Sequence, residues 1–264
     1  MTSRIDRTFA QIREKGRGGL VTYLTAGDPT PERSADLLRA VAEAGADVLE
    51  VGVPFSDPLA DGPVIQRATE RALAAGMTLR GTLAIVRRLR ASVDAPVVLF
   101  TYANPILRMG VRRFAGEAAD AGVDGVLVLD YPVEEAEPLR GPILDAGLDP
   151  IFLVSPTTTG ARIRRSAELG RGFLYLISRL GVTGVRASFD TGVEGVARRV
   201  TDNSTLPLAV GFGISTPGHV KHACTFADAA VVGSALVQVV AEHGRNADVA
   251  ERAGDYVRWL KSAL

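Results

Sequence analysis

Eight short apolar runs recur along the chain, and most of the segments between them have helical spacing. The runs are GLVTYLT (19–25), ADVLEVG (46–52), PVVLFTY (96–102), DGVLVLD (124–130), PIFLVS (150–155), GFLYLIS (172–178), LPLAVGFG (206–213) and DAAVVGS (228–234). Each is too short for a helix and too continuously apolar for a strand with one face in water. The intervening segments, such as PERSADLLRAVAEAG (31–45), MTLRGTLAIVRRLRAS (77–92) and VRRFAGEAADAG (111–122), carry apolar residues at helical intervals. Gly45, Gly122 and Gly147 each follow an alanine and precede an apolar residue and an aspartate, as expected of a left-handed residue that ends a helix before a strand. Eight strands alternating with helices imply right-handed crossovers and a parallel sheet, which closes into a (β/α)8 TIM barrel. An open doubly wound sheet usually carries a GxGxxG turn after its first strand, whereas here the first run ends in TAGDP. The expected architecture is one α/β barrel domain over residues 1–264, with an extra N-terminal helix at 3–15.

Composition narrows the function. With 30 basic and 30 acidic residues interspersed among 264, no basic stripe points to nucleic acid. The longest near-apolar run, 229–237, falls far short of the ~18 residues of a membrane span. A single cysteine, Cys224, rules out an intramolecular disulfide, and the charged start MTSRIDRTFAQIREKG lacks the apolar centre of a signal peptide. A cytoplasmic location is expected.

Barrel chemistry sits where strands end at the C-terminal face. In the second run, Leu49 and Val51 share one face while Val48, Glu50 and Gly52 share the other. Glu50 therefore points into the barrel. It either pairs with a buried arginine and holds the barrel together, or acts as a general acid whose pKa is raised by apolar surroundings. Asp61, in LADGP, and Asp57, in SDP, are on residue type alone ordinary turn aspartates. The seventh run ends in VGFGIS, and the eighth leads through Gly233-Ser234 into a helical segment. With SRLGVTG (178–184), these are three glycine loops that suit phosphate held by backbone N–H groups at a helix N-terminus. The three lysines, Lys15, Lys221 and Lys261, all fall on expected helices, which disfavours a Schiff-base aldolase. His219, His222 and His243 do not end strands, so a metal-dependent aldolase or epimerase is disfavoured too, and no metal site is expected.

The stretches YLTAGDP (23–29), LEVGVPFSDPLADGPVIQ (49–66), TYANPI (101–106), SRLGVTG (178–184), VGFGIS (210–215) and VVGSALV (231–237) resemble the tryptophan synthase alpha chain family from first strand to last. The resemblance implies a lyase that cleaves indole-3-glycerol phosphate to indole and glyceraldehyde 3-phosphate. It also implies no cofactor in this chain and a partner beta chain that carries pyridoxal phosphate, assembled as an alpha2-beta2 heterotetramer. By the same resemblance Glu50 is the general acid/base, Asp61 accepts the indole N–H, and Tyr175 stands beside the catalytic glutamate. Tyr102 and Phe212 line the indole pocket. Gly184, Gly213, Gly233 and Ser234 match the phosphate positions, and Thr183 belongs to a loop that closes onto Asp61. Asp57, Asn104, Pro105 and Asp130 match the face that meets the beta chain. Two other classes compete: a stand-alone indole-releasing lyase, and a non-catalytic activator of a beta chain, against which intact Glu50 and Asp61 speak. A phosphate-sugar isomerase is a weaker alternative.

Overall fold

The computed structural model describes residues 2–177, 192–211 and 213–264. Within them eight strands, β1 (Gly19–Thr25), β2 (Val48–Gly52), β3 (Val97–Thr101), β4 (Gly125–Val128), β5 (Asp149–Val154), β6 (Leu174–Ile177), β7 (Leu208–Gly211) and β8 (Ala229–Val232), close in sequence order into one barrel. Each pairs in parallel with its neighbours, and β8 returns to β1. Continuously apolar strands are what this geometry demands, because both faces are covered. Leu49 and Val51 belong to the layer between strands and helices, whereas Val48, with Val21, Val98, Leu127 and Ile151, fills the barrel interior. The alternation expected in β2 is therefore present, and it directs Glu50 inward.

The expected N-terminal helix spans Arg4–Glu14 and begins with a reciprocal capping box between Ser3 and Asp6. Its Ile5, Phe9 and Ile12 join the interior cluster, and the Phe9 ring lies 5.5 Å from that of Phe173. The helix thus plugs the end of the barrel opposite the strand C-termini. Arginines fasten this plug. Arg4 pairs with Asp124, Arg13 with Asp228 at 3.0 Å, and Arg17, just past the helix, with Asp47 at 2.7 Å. Each of these aspartates immediately precedes a strand or its first residue, and also accepts a backbone N–H at 2.8 Å from the preceding strand: Leu20, Val97 and Leu208 respectively for Asp47, Asp124 and Asp228. The ion pairs consequently tie the plug to the strand starts themselves.

Asp149 occupies the corresponding place at β5 without such a clamp. It is 3% exposed, its Oδ2 has no hydrogen-bond partner, and burial pushes its pKa up from 3.8 to about 6. A carboxyl whose folded pKa is raised contributes stability below its unfolded pKa and loses it as pH rises through the folded one. Asp149→Asn is therefore expected to stabilise the protein at pH 8, by on the order of 1–3 kcal/mol, with the gain vanishing near pH 4. Urea melts of both proteins across that range check it; a pH-independent difference would show that Asp149 is not the group being titrated.

Candidate active site

At the C-terminal mouth of the barrel, Glu50 lies between its register neighbours Tyr23 on β1 and Val98 on β3. It is fully buried, and neither carboxylate oxygen has a hydrogen-bond partner among the described residues. No arginine among the described residues pairs with it, so they do not form the buried ion pair that the sequence left open. Burial alone raises its pKa from 4.5 to about 8. An aromatic arc lines the space around it: Tyr23 stands edge-on to Phe100 at 5.2 Å, and Phe100 is 6.2 Å from Tyr175. Tyr175 projects inward from β6, as its phase requires, and Gly211, the last residue of β7, leaves room for it. A Cβ on Gly211 would stand 2.6 Å from the Tyr175 hydroxyl.

The loop after β2 brings in the second carboxylate. Pro54, Pro58 and Pro63 restrict its backbone, and Pro63 opens the helix Pro63–Ala74 with Gly62 as its N-cap residue. Asp61 is 7% exposed, and it is Gly62, which has no side chain, that occupies the N-cap position of the helix. Its Oδ2 instead accepts a hydrogen bond at 3.0 Å from the Tyr102 hydroxyl, which accepts the Ala60 N–H at 3.1 Å. Gln66 Nε2 donates to the Asp61 carbonyl at 2.8 Å. Asp61 is thus more than a turn residue, and Tyr102 is its tether. Burial lifts the Asp61 pKa from 3.8 to about 6, against the lowering effect of the Tyr102 hydrogen bond. Both carboxyls act on the same two buried phenols, since Tyr23 and Tyr175 each feel the charge of Glu50 and of Asp61.

Opposite these groups, Gly213 has a left-handed φ of +66°, and Gly233 precedes the helix Ser234–His243. The first bond of that helix runs from Val237 N to Gly233 O, so the N–H groups of the opening turn are available to an anion. Thr183, Gly184 and Phe212 lie outside the described residues.

On the rim, Asp57 is exposed and accepts from Ser56 Oγ at 2.6 Å. Asp130, on the loop after β4, accepts the Ala103 N–H at 2.7 Å and so steadies the start of the helix Ala103–Met109 that carries Asn104 and Pro105. Two residues that the sequence reading passed over stand out here: Leu59 and Leu107 are 88% and 55% exposed. Both follow a residue of the candidate rim within a few positions, but exposure of a leucine is not legible from local pattern. Among the described residues no three His, Cys, Asp or Glu side chains come together as metal ligands, and no helix is long and apolar enough to cross a membrane.

The sequence profile of the family described as tryptophan synthase alpha chain matches residues 9–263. The tryptophan synthase alpha chain of Solibacter usitatus is 47% identical over 98% of this chain and 97% of its own length. That of Burkholderia thailandensis is 48% identical over 99% and 97%. Among solved structures, the alpha subunit from Legionella pneumophila superposes with a TM-score of 0.92 at 37% identity, covering 100% of this chain and 98% of the other. Tryptophan synthase from Mycobacterium tuberculosis gives 0.92 at 36% identity, with 100% and 98% covered.

Proposed function

This chain belongs to the tryptophan synthase alpha chain family, lyases that cleave indole-3-glycerol phosphate without a cofactor of their own, and from that premise we propose that Glu50 and Asp61 divide the chemistry. The indole lies across the aromatic arc, its N–H on Asp61, while Gly213, Gly233 and Ser234 hold the phosphate through backbone N–H groups. Tyr175 completes the enclosure, and Thr183, Gly184 and Phe212 are assigned to substrate binding on the family resemblance alone. With its pKa at about 8, Glu50 is protonated at neutral pH and delivers its proton to the ring carbon that bears the side chain. With its pKa at about 6, Asp61 is charged and stabilises the cationic ring through the N–H. The resulting Glu50 carboxylate then takes the proton of the adjacent hydroxyl as the carbon–carbon bond breaks toward the ring. Indole and an aldehyde leave, and Glu50 ends protonated as it began. Two carboxyls held on opposite sides of neutrality by their surroundings make such a division workable. The observation that carries the assignment is a fully buried glutamate with neither oxygen partnered among the described residues, at the mouth where a second carboxylate is tethered by a tyrosine.

Asp57, Asn104, Pro105 and Asp130, with Leu59 and Leu107, form the face we assign to a beta chain that carries pyridoxal phosphate, in an alpha2-beta2 assembly in the cytoplasm. Supporting this are two large apolar side chains exposed on one polar rim. Indole release measured with and without a beta chain tests it. A beta chain should raise turnover, and Leu107→Asp should abolish the rise while leaving unaided cleavage within about twofold, as expected for a rim residue. Equal activation of wild type and variant would move the contact elsewhere, and full turnover without any beta chain would point to a stand-alone lyase.

A further inference from the structure

β1 brings two hydroxyls to the mouth that this scheme leaves without a task. Tyr23 and Thr25 share the inward face of the strand, are 5% and 2% exposed, and hydrogen-bond to each other at 3.3 Å. Tyr23 is the register neighbour of Glu50. A Cβ on Gly233 would stand 3.6 Å from the Tyr23 Cβ, so the tyrosine also borders the anion loop. Its hydroxyl lies over the end of β2, where a Cβ on Gly52 would come within 2.1 Å of the phenol oxygen. Only glycine at position 52 leaves that oxygen its place. Burial first, and then the charge of Asp61, raise the phenol well above its ordinary pKa, so it keeps its proton.

Two hydroxyls carry two protons, and their mutual bond uses one. The pair can therefore donate one further hydrogen bond and accept others. That mixed capacity suits another hydroxyl, whereas a phosphate or carboxylate only accepts. Indole-3-glycerol phosphate has two hydroxyls between its ring and its phosphate. In the scheme above Glu50 works on the one next to the ring. The other is one carbon nearer the phosphate, in the span between Glu50 and Gly233 that Tyr23 borders.

We propose that Tyr23, supported by Thr25, is a specificity-determining residue that hydrogen-bonds the second hydroxyl of the substrate's three-carbon chain. This rests on the substrate pose given under Proposed function. It places recognition of the chain on β1, apart from the groups that move protons.

Tyr23→Phe removes the oxygen and keeps the ring against Phe100. The probes are indole-3-glycerol phosphate and indole-3-propanol phosphate, which has the same ring, chain length and phosphate but neither chain hydroxyl. The variant should raise KM for the substrate by about 3–10-fold, the worth of one neutral hydrogen bond, with kcat within about twofold. Its affinity for the propanol phosphate should be unchanged. Thr25→Val should show the same pattern more weakly, and it serves as the second variant if Tyr23→Phe does not fold. An unchanged KM, equal losses for both ligands, or a loss confined to kcat would each overturn the proposal. Glu50→Gln separates this from the underlying scheme: full cleavage in that variant would remove the acid assignment whatever the ratio between the two ligands.

Discussion

Replacing Glu50 by glutamine is expected to lower kcat for indole release by about 10²–10⁴-fold, the usual worth of a positioned acid/base, while the protein stays folded and still binds indole-3-propanol phosphate. The side chain is fully buried and neither oxygen is partnered among the described residues, so the amide forfeits no hydrogen bond to them. The pH dependence makes the prediction sharper. Because the folded pKa is raised from 4.5 to about 8, the wild-type carboxyl adds stability that is fully present below pH 4.5 and is lost as pH climbs through 8. Glutamine does not titrate, so the stability of the variant relative to wild type should rise between those limits. In wild type, kcat/KM should be bell-shaped, with an acid limb near the Asp61 value of about 6 and an alkaline limb near 8. A variant that kept more than about a tenth of wild-type kcat would show that some other group carries the proton, since a positioned acid/base is worth far more than that.

Asp61→Asn should cost about 10²-fold in kcat, comparable to losing one strong electrostatic stabiliser of a transition state. The amide oxygen can still accept an N–H, but it offers no charge to the cationic ring. The acid limb of the pH profile should vanish with it. Tyr102→Phe is the finer probe. The Tyr102 hydroxyl donates to Asp61 at 3.0 Å and lowers its pKa, so removing the hydroxyl should move the acid limb to higher pH with a loss of about 10–100-fold at neutrality, in line with one hydrogen bond to a charged acceptor. A limb that stays in place in both variants would show that Asp61 does not control it.

Much of the fold could be read from period and punctuation. β1 covers the same seven residues as its apolar run, Gly19–Thr25, and the helix-ending role expected of Gly45, Gly122 and Gly147 is met by φ values of +105°, +88° and +78°. β4 is shorter than the run 124–130, because past Val128 the chain turns and Asp130 is drawn to the Ala103 N–H. The inward phase of Glu50 was legible because alternation along a strand is a local property. What joins Tyr102 to Asp61 was not, since the two are 41 residues apart and only the barrel brings them together. The same limit explains the aspartates. Asp47, Asp124 and Asp149 share a local pattern after glycine, yet the first two form ion pairs with arginines and the third forms none among the described residues. Partners, not pattern, decide whether such a group stabilises or costs. For Thr183, Gly184 and Phe212 the expectation rests on the resemblance alone.

The N-terminal plug has a consequence for how the chain is made. Its helix leaves the ribosome ahead of all eight strands, yet Arg13 binds Asp228, 215 residues later in the sequence. At roughly 5–20 residues per second, translation separates those partners by roughly 10–40 s. Throughout that interval the apolar stripe of Ile5, Phe9 and Ile12 has no finished barrel to enter. Its floor is laid only when β8 arrives, so a segment made before every strand is among the last to find its native seat. The nascent chain must meanwhile keep a sticky amphipathic helix from pairing with the wrong surface, and the charges at Arg4, Arg7, Arg13 and Glu14 around that stripe keep it hydrated.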